Sequence, residues 1–279
     1  MNNINISVII PVYNKDKFLI KTLSSIISQI NSNDELIIIN DGSTDNSQNI
    51  INNFYSKYNS YKNIKIFNRE NQGVSFTRNE GASHAENDYL LFVDADDILL
   101  DNAIERLKKL AKISRFSAAT YEDNENIKSL KRISPDKFIK EFIKGNIKIC
   151  VGSIIIHKEL FNKYLGFNTS ISHGEDQFLW LKIGEKEGLL YSNEKVITYN
   201  RNDMYSLTQN KEKPINITGQ VVFFLERIHK RPFNKYIIIG LMKNIIYCTM
   251  VNINNGFYRK SYQNIIKIIH ILLFKKNDK

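Results

Sequence analysis

The chain has only two cysteines, Cys150 and Cys248, far apart and without a CxxC pair. They support neither a disulfide framework nor a zinc site, and they fit a reducing cytoplasm. The five histidines (His84, His157, His173, His229 and His270) show no metal-ligand spacing either. No window reaches the ~18 uncharged apolar residues that a spanning helix requires. The longest uncharged stretch near the end, Asn244 to Tyr258, is broken by four Asn and a Gly. The start, Met1 to Ser7, is polar and shows no signal peptide. The expectation is a protein not integral to a membrane. No Gly-x-Gly-x-x-Gly follows the first apolar run, and no Gly-x-x-x-x-Gly-Lys-Ser/Thr occurs. The first absence disfavours a dinucleotide oxidoreductase, and the second removes a P-loop NTPase. No internal repeat and no Gly- or Pro-rich linker divides the 279 residues, which suffice for one core or one core with a smaller module.

What is present is basic, and unevenly so. The net charge is +10, with clustered Asp in the first hundred residues and Lys and Arg dominant from Lys128 onward. A basic half fits an acidic partner: a nucleic acid, a membrane surface or a phosphorylated substrate. It equally fits solubilising lysine on an Asn- and Ile-rich background. No recognisable nucleic-acid module accompanies the charge, so no nucleic-acid partner is expected.

Apolar runs and helical spacings alternate along the first hundred residues. Ile6 to Val12, Leu36 to Ile39, Ile64 to Phe67 and Tyr89 to Val93 read as buried strands. Between them Leu19, Leu23, Ile26 and Ile30, then Ile51, Phe54 and Tyr58, then Ser75 to Ala85 read as helices. This order predicts an α/β fold: a Rossmann-like, mostly parallel sheet with helices on both faces and right-handed crossovers. After Asp101 the alternation loosens, with strands expected at Phe116 to Thr120, Ile154 to Ile156 and Leu189 to Tyr199. Helices are expected at Asp101 to Lys112, Pro135 to Lys144 and Asp176 to Glu187. From about Lys213 the pattern is helical and basic. The division is therefore 1–210 for the α/β domain and 211–279 for a helical C-terminal region.

In open α/β sheets ligands sit beyond the carboxyl ends of the strands. There this sequence places Tyr13-Asn14, Asp41 and Asp94-Ala95-Asp96-Asp97. Carboxylates so crowded call for a cation, and their oxygens suit hard Mg²⁺ or Mn²⁺ bridging a diphosphate. The plainer alternative is a helix cap with solvated neighbours. Asp41, in Asn40-Asp41-Gly42-Ser43-Thr44-Asp45, reads either as a turn residue or as acceptor for a base ring N–H. The latter favours uracil or thymine over cytosine.

Ser7-Val8-Ile9-Ile10-Pro11-Val12-Tyr13-Asn14, the block from Glu35 to Asp45, Asn71-Gln72-Gly73-Val74-Ser75 with Arg78-Asn79, and Phe92 to Asp97 together resemble the family 2 glycosyltransferases. The resemblance implies a GT-A fold, a nucleotide-diphospho-sugar donor (most often UDP-linked), Mn²⁺ or Mg²⁺, and inversion at the anomeric carbon. It implies that Pro11, Tyr13 and Asp41 line the base and ribose site and that Arg78 helps hold the nucleotide. Asp94 would touch the ribose or sugar, Ala95 counts with it in the nucleotide site, and Asp96 would ligate the metal. His173-Gly174-Glu175-Asp176 resembles the family's acidic pair, which makes Asp176 the catalytic base and Glu175 its competitor. A helix start favours an ionised carboxylate there. Tyr199 to Thr208 resembles the loop that closes over the diphosphate, with Asp203 where many members carry a His metal ligand. The Gln-x-x-Arg-Trp pattern of processive members does not occur, which implies transfer of a single sugar or a few.

The expected acceptor is a glycan or lipid-linked saccharide of a bacterial surface polymer. A sugar nucleotidyltransferase and a catalytically inactive nucleotide-sugar-binding protein are the competing readings. Near the end, Tyr262, Ile265, Ile266, Ile269, Leu272 and Leu273 form an apolar face among lysines. Such a helix fits an anionic membrane surface, making the chain cytoplasmic and peripheral on the inner face, or fits packing on a neighbour.

Overall fold

The computed structural model describes residues 4–60, 62–122, 130–198, 217–228 and 235–274. The four leading strands form at short apolar runs, β-branched and buried in β1 (Ile6–Val12) and β2 (Glu35–Asp41), partly exposed in β3 (Asn63–Arg69), and Leu- and Phe-based in β4 (Tyr89–Phe92). Helices α1 (Asp16–Ile27), α2 (Ser47–Tyr58) and α3 (Val74–His84) connect them, so all four run parallel. Then follow β5 (Ile98–Leu99), α4 (Ala103–Ala111), β6 (Phe116–Thr120), β7 (Leu130–Ile133) and α5 (Pro135–Ile143). A short 3₁₀ turn leads into β8 (Ile154–His157) and α6 (Lys158–Lys163). The chain continues through α7 (Glu175–Glu187), β9 (Leu189–Lys195) and β10 (Ile197–Thr198) to α8 (Gly219–Arg227), α9 (Lys235–Asn254) and α10 (Tyr258–Phe274).

The main sheet has eight strands in the order β3-β2-β1-β4-β8-β6-β9-β7. Beyond β4 it is mixed: β8 is antiparallel to both neighbours, β6 and β9 are parallel, and β7 is antiparallel on the edge. The expected strand to Tyr199 breaks at Val196, whose N–H goes to Thr120 and whose carbonyl takes the Leu100 N–H. β10 then leaves the main sheet to pair with β5.

Alternation along the strands builds two cores. Val8, Ile10, Leu36 and Ile38 face α1, α2 and α4, while Ile9, Ile37, Ile39 and Phe92 face the opposite layer. That second layer holds the largest buried side chains, including Trp180, Phe138, Phe223 and Phe224. The boundary expected near residue 210 lies outside the described residues. On its far side, Phe223 and Phe224 of α8 and Ile237 and Leu241 of α9 belong to the same core as α5 and α7. One helix among the described residues, α9, is long and apolar enough to cross a membrane by length and composition, with 28% of its apolar window buried. Lys243 near its middle breaks the uncharged run but not the apolar average.

Candidate active site

Two turns at the carboxyl edge of the sheet are zipped together by side-chain bonds to backbone. Asn14, with φ of 51°, receives the Thr44 N–H on Oδ1 and donates its own N–H to Ser43 Oγ. The Lys15 N–H goes to Ser47 Oγ and the Asp16 N–H to Asp45 Oδ2. The run Ser43-Thr44-Asp45 thus fixes the loop after β1.

Asp41, buried at the end of β2, anchors a neighbouring loop. Its Oδ1 accepts the Gln72 N–H at 2.9 Å and pairs with Arg69 at 2.8 Å, while Oδ2 accepts the Gly73 N–H at 2.9 Å. A carboxylate oxygen has two acceptor positions, so Oδ2 keeps one for a further donor. Gly42 allows this approach: it has φ of 72°, and a Cβ there would lie 2.8 Å from the Asn71 nitrogen. Pro11 is half-buried, and Tyr13 is 48% exposed at the same edge.

The centre of the site is Arg78, 4% exposed and fully enclosed between two acids. Its guanidinium donates to Asp94 at 2.6 Å and to Glu175 at 2.7 Å. Those partners stand 16 and 97 residues away, on the loop after β4 and at the start of α7. Despite the cost of burial, Asp94 and Glu175 hold the guanidinium well above its ordinary pKa. Asp176 adjoins the cluster with the opposite balance. Burial first, then the Glu175 charge, raise its carboxyl to about 7, against the lowering effect of Arg78. The helix start alone favours ionisation; here desolvation and a like charge outweigh it.

The Asp-rich turn divides its labour. Asp94 turns to Arg78, and Ala95 points its methyl into the core while its carbonyl accepts from Thr22 at 3.0 Å. Asp96, 12% exposed, meets the Lys15 ammonium at 2.7 Å. Asp97 is buried and closes a turn onto the Asp94 carbonyl. Among the described residues no three His, Cys, Asp or Glu side chains converge to hold an ion. Asp96 is the carboxylate of this turn that faces the Lys15 ammonium. Asp203, the other expected ligand, lies outside the described residues.

Sequence reasoning missed three neighbours of this site. Lys15 carries no pattern beyond its place after Tyr13-Asn14 at a strand end. Cys150 borders the acids, and burial pushes its thiol up, with Asp97 and Asp94 adding to the effect. Gly219, opening α8, donates its N–H to the His173 carbonyl at 2.8 Å. A Cβ on it would come 2.1 Å from the Gly174 carbonyl oxygen. Gly219→Ala is therefore expected to displace the turn that leads into Glu175 and Asp176 at the start of α7 and cost about 1–3 kcal/mol, as overpacking does. Thermal unfolding checks the stability loss. Unchanged stability and activity would mean the junction is loose.

The model of the family described as Glycosyl transferase family 2 matches residues 7–165, more than half of the chain. The chain belongs to that family. An uncharacterised glycosyltransferase of Rickettsia conorii is 29% identical over 287 residues, covering 99% of this chain and 45% of that protein. The chain likewise spans 27% and 32% of its relatives from Rickettsia bellii and Rickettsia felis. It is thus half the length, or less, of those proteins. Escherichia coli WfgD, named a UDP-Glc:alpha-D-GlcNAc-diphosphoundecaprenol beta-1,3-glucosyltransferase, is 27% identical over 252 residues, covering 88% of this chain and 96% of that protein. Among solved structures, residues 1–349 of S. aureus TarS in complex with UDP-GlcNAc match with a TM-score of 0.69 at 15% identity, covering 96% of this chain and 81% of that one. The Pyrobaculum calidifontis mannosyltransferase PcManGT, with GDP-Man and Mn²⁺, gives 0.61 at 14% identity, covering 96% and 76%. Those identities carry the fold alone. This family 2 glycosyltransferase has the GT-A fold, followed by packed C-terminal helices.

Proposed function

We propose that this glycosyltransferase moves a single sugar from a UDP-sugar to a hydroxyl of a glycan or lipid-linked saccharide, with inversion at the anomeric carbon. The observation that carries the reading is the Asp94–Arg78–Glu175 bridge with Asp176 beside it. It ties the strand end where a nucleotide-sugar binds to the helix start that carries a candidate base. Asp176 takes the proton of the acceptor hydroxyl as its oxygen attacks the anomeric carbon. A carboxyl raised to about 7 is strong enough as a base yet partly ionised at neutral pH. Glu175, held by Arg78, orients the cluster. Arg78 holds Asp94 toward the ribose or sugar, and Ala95 spaces Asp94 from Asp96. Tyr13 and Pro11 line the base, and Asp41 offers its remaining acceptor position to a uracil N–H.

Asp96 would hold Mn²⁺ or Mg²⁺ together with the diphosphate. Asp203, on the loop whose sequence resembles the family's diphosphate closure, is proposed as the second ligand. Bound there, the ion supplies charge neutralisation for the departing diphosphate. The name of the E. coli relative supports a lipid-linked acceptor and a UDP donor. Under this reading the chain works in the cytoplasm, in synthesis of a surface polysaccharide or lipooligosaccharide. Calorimetric titration with UDP tests the site: wild-type affinity should depend on Mn²⁺, and Asp96→Asn should lose the Mn²⁺-dependent part. Equal UDP binding with EDTA present and Asp96 replaced would remove the metal assignment.

A further inference from the structure

α9 is apolar on two opposite sides. One side buries Ile237, Gly240, Leu241 and Cys248 against the body of the protein. A Cβ on Gly240 would meet the Phe224 ring at 2.5 Å and Ile143 at 2.6 Å, so this side is seated closely. The other side leaves Ile239, Met242, Ile246, Met250 and Ile253 between 38% and 57% exposed. Their spacing of three and four residues aligns them in one stripe. α10 adds a second exposed apolar stripe, with Tyr258, Tyr262, Ile266 and Ile269 all 47% exposed or more while Ser261, Asn264 and Ile268 are buried. A short turn joins the helices, and Ser261 Oγ donates to the Thr249 carbonyl at 3.3 Å. Surface apolar residues are ordinarily scattered singly; stripes of this length mark a surface with an occupant.

Charge selects the occupant. Residues 235–279 contain eight Lys or Arg against one acid, Asp278, a net +7 of the chain's +10. A second copy would set +7 against +7 at the interface. An anionic bilayer instead receives the apolar stripe at its acyl boundary and the lysines among its headgroups. A spanning arrangement does not fit, because the inner side of α9 is part of the core shared with α5, α7 and α8. Lys243 at mid-helix is also bonded to the Ile143 carbonyl at 3.1 Å.

We infer that α9 and α10 form a docking face that lies in the interface of an anionic bilayer without crossing it. The inference rests on exposure and charge, independently of the donor and acceptor proposed above. The test uses the full chain and sedimentation with phosphatidylcholine vesicles, alone or mixed with phosphatidylglycerol. Wild type should pellet only with the anionic vesicles and be released by salt, which screens such attraction beyond about 10 Å at 0.1 M. Ile246→Asn and Ile266→Asn should each weaken partitioning about tenfold. Both positions are solvent-exposed, so melting temperature and donor hydrolysis should stay at wild-type values. No pelleting of wild type, or equal pelleting of the variants, would overturn the inference. So would a wild-type dimer that the same substitutions dissolve, since the stripe would then belong to a second copy. Retention in membranes through alkaline carbonate washing would overturn it in favour of spanning.

Discussion

Replacing Asp176 with Asn is expected to cut turnover by roughly 10²–10⁴ and to leave UDP affinity near wild type. The substitution keeps the shape at the start of α7 and removes only basicity. The choice of Asp176 over its neighbour follows from their surroundings. Glu175 spends a carboxylate oxygen on Arg78 at 2.7 Å, whereas burial and the Glu175 charge raise Asp176 to about 7. The pH dependence follows in sign. A base acts only when ionised, so kcat/KM should rise with pH through a limb near 7, far above the ordinary 3.8. Stability runs the other way. A raised folded-state pKa makes this group's contribution fully present below 3.8 and lost as pH rises through about 7. Near-normal turnover in Asp176→Asn with Glu175→Gln inactive would move the role to Glu175. Loss of UDP binding in Asp176→Asn would move the residue into the nucleotide site.

Arg78→Met should be the most destabilising substitution in the site. The guanidinium is 4% exposed and pairs with two acids, of which Glu175 is itself 9% exposed. Removing the cation leaves the buried Glu175 carboxylate without its partner beside a part-exposed Asp94, a loss of about 3–5 kcal/mol when one partner of a buried pair is deleted. For a domain of this size that lowers Tm by roughly 10 °C. The variant should recover part of the loss as pH falls, because protonation of Asp176, already raised to about 7, relieves part of the repulsion. Thermal unfolding across pH checks both statements. A wild-type Tm at neutral pH would mean that the acids find other partners and that Arg78 does not organise the cluster.

The first half of the fold is legible in sequence because each strand there is a short apolar run and each helix repeats at its own period. β1 through β4 obey that rule, and the polar groups at their ends follow from the parallel topology. The second half is harder for physical reasons. β8 reads as a strand, but nothing local tells that Ile154–His157 inserts antiparallel beside β4. β7 follows a polar stretch and shows exposed Leu130, Lys131 and Arg132, as an edge strand does. β5 and α6, at two and six residues, are too short to show a period. At the site, motif order brings Arg78, Asp94 and the acidic pair to attention, but not that Arg78 bridges them. The ionisation of Asp176 is illegible because desolvation and the Glu175 charge arise only on folding. Lys15 and Gly219 matter through contacts 81 and 46 residues away in sequence, which no local pattern announces.

The central claim is transfer of a sugar with release of the nucleoside diphosphate, and phosphorus NMR of a donor incubation reads it directly. With a mixture of UDP-, GDP-, dTDP- and CDP-sugars and Mn²⁺, consumption of a UDP-sugar and the appearance of UDP are expected. Asp176→Asn should slow that signal and leave UDP binding intact. Appearance of pyrophosphate with a sugar phosphate would contradict the account and make the protein a nucleotidyltransferase, and consumption of no donor would make it a binding protein.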